Sequence, residues 1–297
     1  MVKSKTVKKI FILGPGRSGT SLIQSMLDSN SQIKFIKENQ YLRKVLYGKR
    51  NISWFLKNRK DRLNNLDYLN KNKKLNKLEF YIKMIDKESK AEINYLGDKD
   101  PNLIDHIEKL FTDFKNPKII FMIRDPRDII LSRIKAKWSS KWPFFFQILI
   151  VYSQLKKYNK FTKKNKNISN SIKTVKYEDL ILFPEIKILE ICNFLDIKYE
   201  KGMLDFSKSS KRLVSKNEME WKNKTLQNLD KDNYDKWKKE FSPKKVYFLN
   251  SVFKFFLIQY NYEIPRNIEL SIFSKFLYFF KIQLIRLLSN FYNLRFI

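Results

Sequence analysis

Residues 8–21 read Lys8-Lys9-Ile10-Phe11-Ile12-Leu13-Gly14-Pro15-Gly16-Arg17-Ser18-Gly19-Thr20-Ser21. The apolar run Ile10 to Leu13 marks Lys8 to Leu13 as a buried strand. The Gly/Pro segment Gly14 to Gly19 reads as a loop, and Thr20 to about Ser29 as a helix. Small residues let backbone N–H groups turn inward, and the helix N-terminus adds partial positive charge, so the segment suits an anion.

The spacing Gly14-x4-Gly19 is that of a nucleotide-binding P-loop. Thr20-Ser21 stands where a nucleoside triphosphatase needs Lys-Ser or Lys-Thr, the lysine for the β/γ-phosphates and the hydroxyl for Mg²⁺. Here the cation is Arg17, inside the loop, and no clear Walker-B acid follows. An incidental glycine-rich turn is the bland alternative, and the strand–loop–helix context weighs against it.

Working outward, residues 40–92 are rich in Lys and Asn with helical periodicity and one Gly, which predicts helices outside the sheet. Asp100-Pro101 reads as an N-cap followed by proline at the first helical position, opening a helix to about Asp113. Lys118 to Ile123 (KIIFMI) is an apolar run of the kind buried on both faces of a parallel sheet. Asp125-Pro126 repeats the cap and opens a helix through about Lys137, with a further helix over 142–161. Lys163 to Ser171 reads as a polar loop, Ser171 to Tyr177 as a third strand and Pro184 to Leu195 as a helix. Strands alternating with helices give the expected fold: one α/β domain over 1–267, a central parallel sheet with helices on both faces, and a helical C-terminal tail over 268–297.

At 297 residues, 43% hydrophobic and 15% aromatic, the chain can bury a sizeable core. The net charge of +31 suits polyanions, an anionic membrane surface or a phosphate-rich ligand. Evenly spread Lys and Asn, as AT-rich coding produces, account for such a surplus equally well, and no specific nucleic-acid partner is expected. Cys192 is the single cysteine, so no intrachain disulfide forms, and no Cys/His cluster offers a zinc site. The four apolar residues Ile10 to Leu13 are too short for a signal or a membrane span, so a cytoplasmic protein is expected.

The second informative stretch is Arg124-Asp125-Pro126-Arg127-Asp128-Ile129-Ile130-Leu131-Ser132. Arg124 ends the KIIFMI strand, at the sheet edge where open α/β folds bind ligands. Ser132, about two helical turns on, can face the same side. An arginine and a hydroxyl converging on one point suit a dianionic phosphate, and a capped helix with surface charges is the plainer reading. At these two clusters the sequence resembles the sulfotransferases. Arg17-Ser18-Gly19-Thr20-Ser21 is similar to their 5'-phosphosulfate loop, and Arg124 to Ser132 to their 3'-phosphate motif. Lys176-Tyr177-Glu178-Asp179-Leu180 with Pro184 and Phe194-Leu195, and later Trp237, Glu240-Phe241-Ser242 and Tyr260-Asn261-Tyr262, extend the resemblance to about residue 262. Ser29-Asn30-Ser31 departs from a common His-Pro, and 42–92 match nothing in the family pattern, which leaves them as a helical insertion near the acceptor.

The resemblance implies 3'-phosphoadenylyl sulfate as the sulfuryl donor, no metal, and a hydroxyl or amine acceptor that is a glycan, lipid, small molecule or protein tyrosine. Gly16, Arg17, Ser18, Gly19, Thr20, Ser21, Arg124 and Ser132 would hold the donor. Tyr177 would stack on the adenine, although a tyrosine closing a buried strand is as often core. Ser215 would reach the nucleotide from the C-terminal loop. Many cytosolic members use a histidine two residues after a catalytic lysine, whereas Lys99-Asp100-Pro101 has proline there. The tyrosylprotein branch matches better. Glu38, 21 residues after Arg17, is by that resemblance the general base, with Arg17 and Lys99 on the leaving oxygen. A solvated Glu38 and an unremarkable Lys99 are the plain alternatives. His106, the only histidine, sits by a stripe of Leu103, Ile107 and Leu110, as a structural or surface residue would.

In the tail, Ser271, Lys275, Gln283, Arg286, Ser289, Asn290 and Asn293 gather on one side at 100° per residue, so the helix is amphipathic. It suits a membrane surface, the domain or a second subunit. Two other functions stay open: a P-loop kinase of a small molecule or nucleotide, disfavoured by the missing Gly-Lys-Ser/Thr step, and a basic polyanion- or membrane-binding module.

Overall fold

The computed structural model describes residues 7–89, 92–213, 229–265 and 268–291. Its sheet has five parallel strands in the order β2-β3-β1-β4-β5. They are β1 Lys8–Leu13, β2 Ile33–Phe35, β3 Tyr95–Lys99, β4 Lys118–Ile123 and β5 Ile172–Lys176. Helix α1 is Thr20–Asp28, and α2 (Ile52–Asn58), α3 (Leu66–Lys71) and α4 (Lys77–Asp86) occupy the 42–92 segment. Then come α5 Ile107–Asp113, α6 Pro126–Lys135, α7 Phe144–Lys164, α8 Tyr177–Leu182 and α9 Pro184–Leu195. The C-terminal part holds α10 Ser207–Leu213, α11 Trp237–Glu240, α12 Pro243–Gln259 and α13 Ile272–Phe291.

Side chains alternate across the strands and so sort into two cores. Phe11, Leu13, Ile119 and Phe121 pack with residues of α2, α4 and α5 on one face. Ile10, Ile12, Ile120 and Met122 pack with α1, α8 and α9 on the other. Both faces of a parallel sheet are covered in this way, which is why β1 and β4 read as continuous apolar runs. A third cluster joins α6, α7, α12 and α13 beside the sheet.

Several boundaries differ from the sequence expectation. Two strands, β2 and β3, carry no apolar run. β2 has three residues, and β3 is Tyr-Leu-Gly-Asp-Lys, yet all five of its residues are buried. Gly97 is required there, because a Cβ would overlap the Phe35 ring of the paired strand. The segment after Asp100 begins as a 3-10 turn, Pro101–His106, before α5; the Asp100 side chain caps it by accepting from Asn102 N. α6 stops at Lys135 rather than about Lys137. The expected loop at 163–171 is the end of α7 and a 3-10 turn over Lys166–Ser171. Tyr177 opens α8 instead of closing the strand.

Candidate active site

Five parallel strands place five C-terminal ends along one edge, and every one contributes to a single cavity of ≈ 830 Å³. β1 leads into the Gly14–Gly19 loop, β2 runs on to Glu38, β3 ends at Lys99, β4 is followed by Arg124 and β5 by Tyr177.

The loop holds its shape through unusual backbone. Gly14 and Gly19 have φ of 143° and 90°, and Arg17 takes φ 80°, a strained value for a residue with a side chain. Ser18 N donates to Pro15 O at 3.1 Å, and Gly19 is the N-cap of α1 without a side-chain cap. A Cβ on Gly19 would overlap the Tyr177 ring, so glycine is needed for this approach as well as for its φ. The Ser18 hydroxyl is buried without a hydrogen-bond partner among the described residues.

Two cationic centres face the loop. In the first, Arg17 Nε donates to Ser132 Oγ at 2.9 Å and Arg124 Nη1 donates to the Arg17 carbonyl at 3.3 Å. Arg124 also donates to Asn233 O at 2.7 Å and lies 4.4 Å from the Tyr177 ring centroid, while its buried Nε has no hydrogen-bond partner among the described residues. Burial, and then the neighbouring Arg124, hold the Arg17 guanidinium below its ordinary value. Two guanidinium groups side by side, that of Arg124 buried and that of Arg17 partly so, repel each other, and a bound dianion would relieve that repulsion. Tyr177, expected either on the adenine or in the core, is 6% exposed; its hydroxyl accepts from Asn233 Nδ2 at 2.7 Å, and its ring lies between Gly19 and Arg124.

In the second centre Lys99, 1% exposed, forms an ion pair with Glu38 and donates to Ser21 Oγ at 3.3 Å. The Glu38 backbone is fixed by Arg62 Nη1, which donates to its carbonyl at 2.8 Å. Lys99 is backed by a buried pair, Arg43 Nε to Asp100 Oδ2 at 2.9 Å. On the far side of β3, burial and then Asp100 push the Asp98 carboxyl up to about 7.

Gly16, Arg17, Gly19, Thr20, Ser21, Glu38, Lys99, Arg124, Ser132 and Tyr177 all line the cavity, and Ser18 is buried within the loop beneath it. Ser215 falls outside the described residues. His106 is away from the cavity, its ring 5.1 Å from that of Tyr47; burial, then Lys109, pushes its imidazole down to about 4.

Sequence reading missed Asn233, which links Arg124 to Tyr177, and the further lining residues Arg62, Arg133, Trp138 and Trp142. Arg133 stacks over Trp138 at 5.2 Å. Two tryptophans among lysines just after α6, at 137–142, were the available sign. Among the described residues no group of three or more His, Cys, Asp or Glu is placed to hold a metal ion.

Residues 9–201 match the family model described as the sulfotransferase family. Protein-tyrosine sulfotransferase 1 of Danio rerio is 27% identical over 215 residues, covering 68% of this chain and 57% of that protein. Protein-tyrosine sulfotransferase 2 of Gallus gallus is 28% identical over 215 residues, covering 68% and 54%. The chain thus spans little more than half the length of these curated relatives. Among solved structures, the sulfotransferase domain from the curacin biosynthetic pathway superposes with a TM-score of 0.66 at 20% identity, covering 88% of this chain and 100% of that one. The sulfotransferase domain from the Synechococcus PCC 7002 olefin synthase gives 0.58 at 17% identity, covering 89% and 97%. At these identities the structural likeness establishes the fold. The family match takes in the phosphate loop, Glu38, Lys99 and the Arg124–Ser132 helix, and the chain belongs to the sulfotransferase family.

Proposed function

We propose that the chain transfers a sulfuryl group from 3'-phosphoadenylyl sulfate to a hydroxyl, with protein tyrosine as the first acceptor class to test. The observation that carries this reading is Lys99, whose ammonium bridges Ser21 of the phosphate loop and the Glu38 carboxylate. It stands between a donor half and an acceptor half of one cavity. Tyrosine is favoured because relatives from several animals are named protein-tyrosine sulfotransferases.

In this reading the backbone N–H groups of Gly16, Arg17, Gly19, Thr20 and Ser21 and the hydroxyls of Ser18, Thr20 and Ser21 hold the 5'-phosphosulfate at the N-terminus of α1. Arg124 and Ser132 take the 3'-phosphate, and the buried unpaired Arg124 Nε supplies one of the donors. Glu38 accepts the acceptor's proton as its oxygen bonds to sulfur. The bond from sulfur to the bridging oxygen breaks, and the electron pair leaves on 3',5'-ADP, where Lys99 and Arg17 stabilise the growing charge. Residues 42–92 form part of the acceptor wall through Arg62.

The test is transfer from radiolabelled donor to a panel of tyrosine peptides, glycans, lipids and phenols. Label on the tyrosine peptide, absent with Glu38→Gln, supports the reading. Retention of ATP with Mg²⁺ and phosphate transfer instead would establish a kinase.

A further inference from the structure

α13 is apolar on two opposite sides. Its inner side carries Ile282 and Ile285, buried in the third core cluster, and Tyr278, whose ring stacks on Phe248 at 5.1 Å. Its outer side carries Phe273, Phe276, Phe280, Leu284, Leu287 and Phe291, spaced by three or four residues and therefore one stripe along the helix. All six are exposed, Phe273 at 75% and Phe291 at 74%. The rotation is fixed by Lys156 of α7, whose ammonium donates to Ser289 Oγ at 3.0 Å and Asn290 Oδ1 at 2.6 Å. The aromatic stripe is thus held facing away from the protein. Contiguous apolar surface of this kind marks an interaction site.

The charge of the surrounding face selects the occupant. α7, α12 and α13, packed together, carry five, three and three basic residues and no acid, whereas acids make up 30 of the chain's 297 residues. A second copy of the chain docked stripe to stripe would bring two such acid-free helix layers together. Of α13's own cations, Lys275 and Arg286 lie on the side that carries Ser289, away from the stripe, and Lys281 lies on its flank. An anionic lipid surface complements both features, with phenyl rings entering the headgroup boundary and lysines meeting phosphates. Among the described residues no helix is long and apolar enough to cross a membrane. A helix lying in the interface needs no such length. We infer that the outer face of α13 docks on an anionic membrane surface, with the helix in the plane of the headgroups.

The test is co-sedimentation of the 297-residue chain with phosphatidylglycerol–phosphatidylcholine vesicles and with phosphatidylcholine alone. Binding to the first, weak binding to the second and weakening by salt are expected. The double variant Phe276→Glu/Phe280→Glu alters only exposed positions, so it should lose the vesicles while keeping its circular dichroism and its 3',5'-ADP affinity. Phe276→Trp, a change with little risk to folding, should add fluorescence that brominated lipids quench. No vesicle binding by the parent chain, no quenching at position 276, or a folded Glu variant that still binds would each overturn the inference. So would a concentration-dependent dimer that the Glu variant abolishes in a chain indifferent to vesicles.

Discussion

Arg17 and Ser132, 115 residues apart, are hydrogen-bonded at 2.9 Å, Nε to Oγ. That bond ties the loop after β1 to the second turn of α6, so the phosphate loop and the Arg124–Ser132 motif form one surface. Arg17, read from the sequence as a group for the leaving oxygen, is tethered on the side where Arg124 and Ser132 converge.

This convergence predicts a nucleotide preference. By calorimetry, 3',5'-ADP should bind more tightly than 5'-AMP, and Arg124→Ala should remove roughly 1.5–3 kcal/mol of the difference, the worth of bonds to a charged group. Ser132→Ala should remove about 1 kcal/mol. Equal affinities for the two nucleotides in the parent protein would withdraw the 3'-phosphate assignment.

Glu38→Gln keeps the side-chain shape and an acceptor for Lys99 but cannot take a proton. Turnover should fall by about 10²–10⁴-fold while 3',5'-ADP affinity is nearly unchanged. His106→Ala should leave turnover as it is, since that ring packs against Tyr47 away from the cavity. The opposite pattern in the two variants would reverse the assigned roles.

Transfer should proceed in excess EDTA. The basis is the sequence of the loop: Thr20 stands where a triphosphatase has lysine, and Arg17, Lys99 and Arg124 are among the cations that line the site. Loss of transfer on chelation, restored by Mg²⁺, would return the kinase reading.

Asp98 predicts a pH dependence of stability. Burial raises its carboxyl from 3.8 to about 7, so the folded protein holds a proton that the unfolded chain has lost. Its contribution is complete below about pH 4 and declines as pH rises toward 7, because the folded state binds more protons in that window. In urea titrations Asp98→Asn should gain on the parent protein between pH 5 and pH 8, by roughly 1–3 kcal/mol. A constant difference across that range would show that Asp98 is ionised when folded.

Much of the loop side of the cavity was legible in the sequence because its determinants are local. Glycines permit the positive φ of the loop, Asp100 and Asp125 cap the turns that follow them, and KIIFMI is apolar because both faces of β4 are covered. Glu38 and Lys99, to which the resemblance gives separate roles, are brought together in an ion pair. The missed strands have a different cause. β3 is buried by its neighbours despite Gly97, Asp98 and Lys99, and hydropathy along five residues does not record that.

The sequence by itself determined where the chain turns, where it caps a helix and which residues share a helix face, since those depend on neighbours a few positions away. Only the tertiary structure decided the strand order, the Arg17–Ser132 and Glu38–Lys99 partnerships and which side of α13 is covered. Contacts across 115 and 61 residues form only when packing of the two cores overcomes the entropy of closing the chain between them. The outward stripe of α13 follows the same logic: periodicity groups its apolar residues, and the partners Phe248 and Lys156 decide which face is left exposed.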